Sequence, residues 1–240
     1  MYSRAFHRYI EALLTGLKLK PNITLALLRK EFILELRRKS VISGLGLYLL
    51  SIVFICYLTF NLRQNAISPN TWSALFWLTI LFSVVNSVAK SFIGEKKGTL
   101  IYYYTLASPQ QILLSKIIYN TILCLLISIS GYLLFSIFIY NPVKDQLTFF
   151  FGLVLASFGF SISLSLISGI ASKANNSNVL MAVLSFPVVI SILLMSVRIT
   201  KNAVDGIERA ASTDEFLNLL AINCIAGALG YVLFPYIWRS

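Results

Sequence analysis

The chain has 240 residues, 58% of them hydrophobic and only 12% charged, with a mean hydropathy of +0.80. A soluble domain carries about 25% charged residues, so a water-soluble globule and a disordered chain are excluded, and three cysteines exclude a disulfide-stapled secreted domain. What remains is a multi-span membrane protein: at about 20 residues per crossing, this length holds about six spans and leaves no room for a soluble catalytic or nucleotide-binding domain. The net charge of +11 would suggest nucleic acid in a soluble protein; here the first question is whether it is segregated across a bilayer.

In chain order, residues 1–23 are basic and unpatterned, and no compact apolar core with a small-residue cleavage site marks a signal peptide. The segment Thr24–Lys39 reads as an amphipathic helix lying along the inner membrane surface. Its stripe is Leu25, Leu28, Phe32 and Leu36 at helical spacing, with Arg29 projecting close to it. Arg37, Arg38 and Lys39 can meet anionic head groups, or serve as an ordinary basic flank to a span. Six apolar stretches follow, near Val41–Phe60, Trp72–Phe92, Ile117–Tyr140, Phe149–Ser172, Val179–Val197 and Leu217–Trp238.

With the N-terminus inside, fifteen Lys and Arg fall on the cytoplasmic side and five outside, from Arg63 to Arg209. That bias satisfies the positive-inside rule. Both termini are therefore expected in the cytoplasm, and the basic balance is one of topology, with no nucleic-acid partner.

Inside the spans, small residues stand at helical spacing: Gly152, Ala156, Gly159 and Ser163 in the fourth, Ala226 and Gly230 in the sixth. They let helix backbones approach closely in lipid, for packing within one subunit or for a mobile or pore-lining face. Pro187 is expected to kink the fifth span. Catalytic groups are not legible. The one histidine, His7, lies far from any span, and no Asp or Glu sits in mid-span, so no catalytic residue and no metal site is expected. Cys56, Cys124 and Cys224 fall on separate spans among apolar neighbours and read as small hydrophobes.

The informative polar segment joins spans two and three, residues 93–116. Gly94 and Gly98 frame a charged turn with Glu95, Lys96 and Lys97; Thr99, Leu100 and an apolar, tyrosine-rich run follow. Then Ser108 can cap a helix, Pro109 suits its first position and Gln111 completes a capping box, with the helix running through Lys116 into span three. Apolar surface at the membrane face is either a docking element for a cytosolic partner or a re-entrant segment without one.

This loop resembles the membrane subunits of type-2 ABC exporters. The residues that carry the likeness are Glu95-x-x-Gly98-Thr99-Leu100, then Ser108-Pro109, then Lys116 entering a span. Within that group the layout is similar to the haem exporter protein B family, the permease subunit of cytochrome c maturation. The further points of likeness are Leu34-Glu35-Leu36-Arg37 before span one and Leu184-x-x-Pro187 in span five, and the likeness covers roughly Thr24 to Arg239.

The resemblance implies an all-α permease domain over residues 24–240, with six transmembrane helices, an N-terminal interfacial helix and the type-2 ABC exporter fold. It also implies a coupling loop in which Gly94, Glu95, Gly98, Thr99, Leu100, Ser108, Pro109 and Lys116 meet an ATPase subunit. The expected assembly is a homodimer with two ABC ATP-binding subunits in the inner membrane, working with a haem-handling membrane protein and a haem chaperone. ATP would be bound by the partner and haem met only indirectly, with no cofactor on this chain. Two other readings stay open at this point: a type-2 exporter permease for a lipid, glycan or drug-like substrate, and a membrane scaffold with no ATPase.

Overall fold

A bilayer offers no water to backbone polar groups, so an apolar run that crosses it must satisfy its N–H and C=O groups internally, and a helix does so. The computed structural model describes residues 23–37, 39–61, 67–88, 90–93, 107–174 and 176–239. In order, the elements are α1 (Ile23–Arg37), α2 (Lys39–Asn61), α3 (Pro69–Val88), α4 (Lys90–Ile93), α5 (Pro109–Phe138), α6 (Gln146–Ala171), α7 (Ser177–Asp205), a 3-10 turn (Arg209–Ser212) and α8 (Thr213–Arg239). Six of these helices, α2, α3, α5, α6, α7 and α8, are long and apolar enough to cross a membrane. This is an all-α membrane protein, with no strand among the described residues.

The helices outrun the apolar stretches because charges end the hydrocarbon, not the helix. The third crossing is expected at Ile117–Tyr140 with a helix capped at Ser108 leading into it, and α5 starts at Pro109 as that cap predicts. Ser108 makes the cap: its Oγ accepts from Gln111 N at 3.4 Å, and Gln111 Oε1 accepts from Ser108 N at 3.0 Å. The fifth crossing is expected to stop at Val197, and α7 continues to Asp205. In that extension Arg198 and Lys201 face outward while Ile199, Thr200, Ala203 and Val204 are buried, so the last turns are amphipathic. Gly206, at φ 72°, supplies the left-handed cap that ends the helix.

Helix α6 is the centre of the bundle, packed by α5, α7, α8 and α3. Near its N-terminus sits an aromatic cluster. The Trp72 ring stacks on Phe76 at 5.3 Å and meets Phe135 edge-on at 5.8 Å, with Phe149 of α6 against both Trp72 and Phe76. The two indole N–H groups are satisfied across helices, Trp72 Nε1 on the Tyr140 carbonyl at 2.9 Å and Trp77 Nε1 on Thr200 Oγ1 at 2.8 Å. This end of the bundle is held by packing and directed hydrogen bonds together.

Helix α1 turns a different face inward from the one its stripe predicts. Leu25 is 69% exposed, whereas Leu27, Leu28, Glu31 and Phe32 lie against the bundle, chiefly against α5. The side chain of Leu36 lies outside the described residues. The inward face repeats at i, i+1, i+4 and i+5, and it includes a carboxylate.

Candidate functional site

Lys116, in the second turn of α5, is 2% exposed. A buried ammonium without partners carries a penalty of several kcal/mol, so its surroundings have to answer its charge. They do so from two elements: Glu31 Oε1 of α1 lies 3.1 Å from Nζ, and on α4 the Ser91 carbonyl accepts at 2.8 Å and the Phe92 ring centroid is 5.0 Å away. Burial on its own would push the Glu31 carboxyl up; the charges of Lys116 and Lys30, the latter 2.8 Å away, outweigh it and hold Glu31 below the ordinary carboxylate value.

One turn further along α5, Asn120 is 1% exposed and spends both amide hydrogens, on Ser91 Oγ at 3.0 Å and on Ser165 Oγ of α6 at 2.7 Å. Ser168 Oγ accepts from Phe92 N at 3.1 Å, and Ser161 Oγ donates to the Ile117 carbonyl at 2.7 Å. An apolar layer closes the knot: Phe92 packs with Ile112, Leu113, Leu166 and Phe234, and Leu27 of α1 lies against them. Helices α1, α4, α5, α6 and α8 thus meet around one lysine. The knot ties together the two stems that flank residues 94–106, the first ending at Ile93 and the second opening at Ala107.

Of the loop residues singled out in the sequence, Gly94, Glu95, Gly98, Thr99 and Leu100 lie outside the described residues. Ser108 and Pro109 open α5. Lys116 is buried in the bundle, held there by Glu31 and the Ser91 carbonyl. Sequence reasoning missed the roles of Glu31, Ser91 and Asn120 here. The available signal was Asn120, an amide in an apolar run, where a polar side chain needs a partner.

The small residues of α6 all face neighbours. A Cβ on Gly152 would stand 2.6 Å from Ile199 of α7, and one on Gly159 would run into Asn223 Oδ1 of α8. Ala156 and Ser163 are buried on the same helix, Ala226 is buried on α8, and Gly230 faces Leu113, 3.4 Å from where its Cβ would be. Asn223, also missed in the sequence, donates to the Leu155 carbonyl of α6 at 3.0 Å. Pro187 lies inside α7, where it has no N–H for the Val183 carbonyl, and Ser191 Oγ donates to the Pro187 carbonyl at 3.0 Å.

At the opposite end from Lys116, Asp145 caps α6 through Leu147 N at 3.1 Å and also receives Arg209 Nε at 2.8 Å and Nη2 at 3.2 Å. The Arg209 hydrogen bonds, then that of the Thr148 hydroxyl, hold the Asp145 carboxyl far below the usual range. Backbone bonds from Lys144 N and Asp145 N to the Ala203 carbonyl join the same two segments. Among the described residues, no three His, Cys, Asp or Glu gather closely enough to hold a metal ion.

Six helices long and apolar enough to cross a bilayer define a multi-pass membrane protein, and one buried lysine ties both stems of an interhelical loop into it. The family model described as "CcmB protein" matches residues 22–233, and the chain belongs to that family, the haem exporter protein B family. Membership makes it a membrane subunit of a haem-exporting ABC transporter of cytochrome c maturation, working with an ABC ATP-binding subunit and other maturation components. It displaces the lipid, glycan or drug exporter and the free-standing scaffold. No curated protein and no solved structure matches the chain.

Proposed function

We propose that this chain is the non-catalytic transmission subunit of its complex. Two copies pair with two ATP-binding subunits. ATP hydrolysis by those subunits drives release of a haem-loaded chaperone from a partner membrane protein on the periplasmic side. Closure of the ATPases pushes on the 93–116 loop, shifts α3 and α5, and moves the far segment around Thr200–Asp214 against its partners.

The single observation that carries this reading is the Lys116 knot. Force applied to either stem of the loop has a connected polar path into α1, α5 and α6. ATP then sits on the partner, and haem reaches this subunit only through the haem-handling protein and its chaperone. The chain lies in the inner membrane with both termini cytoplasmic, an orientation supported by the fifteen-to-five distribution of Lys and Arg. The Asp145 end faces the periplasm.

Glu95→Ala or Gly98→Leu, introduced into the assembled complex, is expected to lower ATPase activity and cytochrome c yield. Normal values of both at equal protein levels overturn the reading.

A further inference from the structure

Resting on the transmission reading, we propose that α1 is a working part of the device and that Glu31 and Lys116 are its positioning residues. They fasten α1 to both stems of the loop, so that α1, α4 and the first turns of α5 move as one body.

The orientation of α1 argues this first. A helix that served only to hold the chain at the membrane surface would turn its carboxylate to water and its leucines to lipid. Here Leu25 and Ile33 are exposed while Glu31 is turned inward to a lysine from a helix 85 residues further along the chain. Aromatic packing reinforces the same line, with Phe32 meeting Tyr119 edge-on at 5.2 Å.

The choice of a charged pair argues it second. Apolar residues of similar volume would stabilise such a buried site as well or better. What the pair adds is a defined register, because one ammonium reads the positions of the Glu31 carboxylate and the Ser91 carbonyl at once. Movement of α4 therefore reaches α1 through a single atom. Leucines in the same place would let the helices slide.

The test uses the co-purified complex with its ATP-binding subunit. If no such subunit accompanies the wild-type chain, the transmission reading fails on its own account, before any variant is made. Given that complex, Glu31→Met combined with Lys116→Met removes both charges while keeping volume. Its cytochrome c yield per ATP hydrolysed is expected to fall about fivefold or more. A yield within about twofold of wild type overturns the proposal.

A second measurement does not depend on that variant folding. Spin labels at Ala26 and Leu114, both exposed, report the distance between α1 and the start of α5. It is expected to stay constant between the nucleotide-free and ATP-bound complex. A change of more than about 3 Å, larger than an ordinary helix shift, overturns the rigid joint.

Discussion

Arg209 grips both carboxylate oxygens of Asp145 across the connection between α7 and α8, while the same carboxylate caps the N-terminus of α6. An ordinary aspartate titrates near 3.8, and the hydrogen bonds of Arg209 and Thr148 hold this one well below that. Below the ordinary value the unfolded chain therefore binds the extra proton. The stabilisation is complete above it and drains away as the pH falls through the folded value. Asp145→Asn keeps the cap, since Asn caps as well as Asp, but loses the charge. Its melting temperature in detergent is expected to fall below wild type at neutral pH, with the gap closing in strong acid. A gap that does not change with pH counts against the assignment.

Gly159 of α6 faces Asn223 of α8, whose Oδ1 stands where a Cβ would be. A methyl group there has to push the Asn223 amide off the Leu155 carbonyl. Gly159→Ala is expected to cost about 1–3 kcal/mol, the range for overpacking. Gly227 has nothing within 4 Å of its would-be Cβ, so Gly227→Ala is the control and should leave the thermal midpoint unchanged or slightly raised.

Trp77 Nε1 and Thr200 Oγ1 form a buried 2.8 Å bond between α3 and α7. Interhelical hydrogen bonds in membranes contribute about 0.6 kcal/mol by double-mutant cycles. The cycle of Trp77→Phe with Thr200→Val is expected to give a coupling of that size, measured by reversible unfolding in mixed micelles. A coupling indistinguishable from zero would show that neighbouring groups take over both partners.

Glu31 follows the same sign as Asp145 for a different balance of causes. Burial works against its charge, and Lys116 and Lys30 win, leaving its carboxyl below the ordinary 4.5. Its contribution is present above that value and lost as the pH falls through the lower, folded one. The distance between labels at Ala26 and Leu114 is thus expected to stay narrow from neutral pH down to about 4.5 and broaden only in stronger acid. Glu31→Gln should broaden it already at neutral pH.

The crossings were legible because a bilayer filters for length and apolarity, and both are written in consecutive residues. Their ends were less so: the capping signals at Ser108 and Pro109 marked the start of α5, but treating Arg198 and Lys201 as boundaries cut α7 short, since a helix can carry charge past the hydrocarbon on its exposed face. The stripe on α1 misplaced Leu25 for a related reason. Periodicity finds an apolar face, but with lipid on one side and protein on the other it cannot say which face meets which. The pairing of Glu31 with Lys116 spans 85 positions, beyond any local pattern. Asn120 and Asn223 escaped because the search for polar chemistry in the spans looked for ionised groups, and an amide carries none.

Helix α5 is unbroken for 30 residues, about 45 Å from Pro109 to Phe138, against about 30 Å of hydrocarbon. It contains no proline after its first residue and runs without a break from the capped foot at Ser108 to the aromatic cluster around Phe135. An unbroken helix of that kind carries a displacement along its length. Whatever tilts its foot must swing its head on the other side of the bilayer.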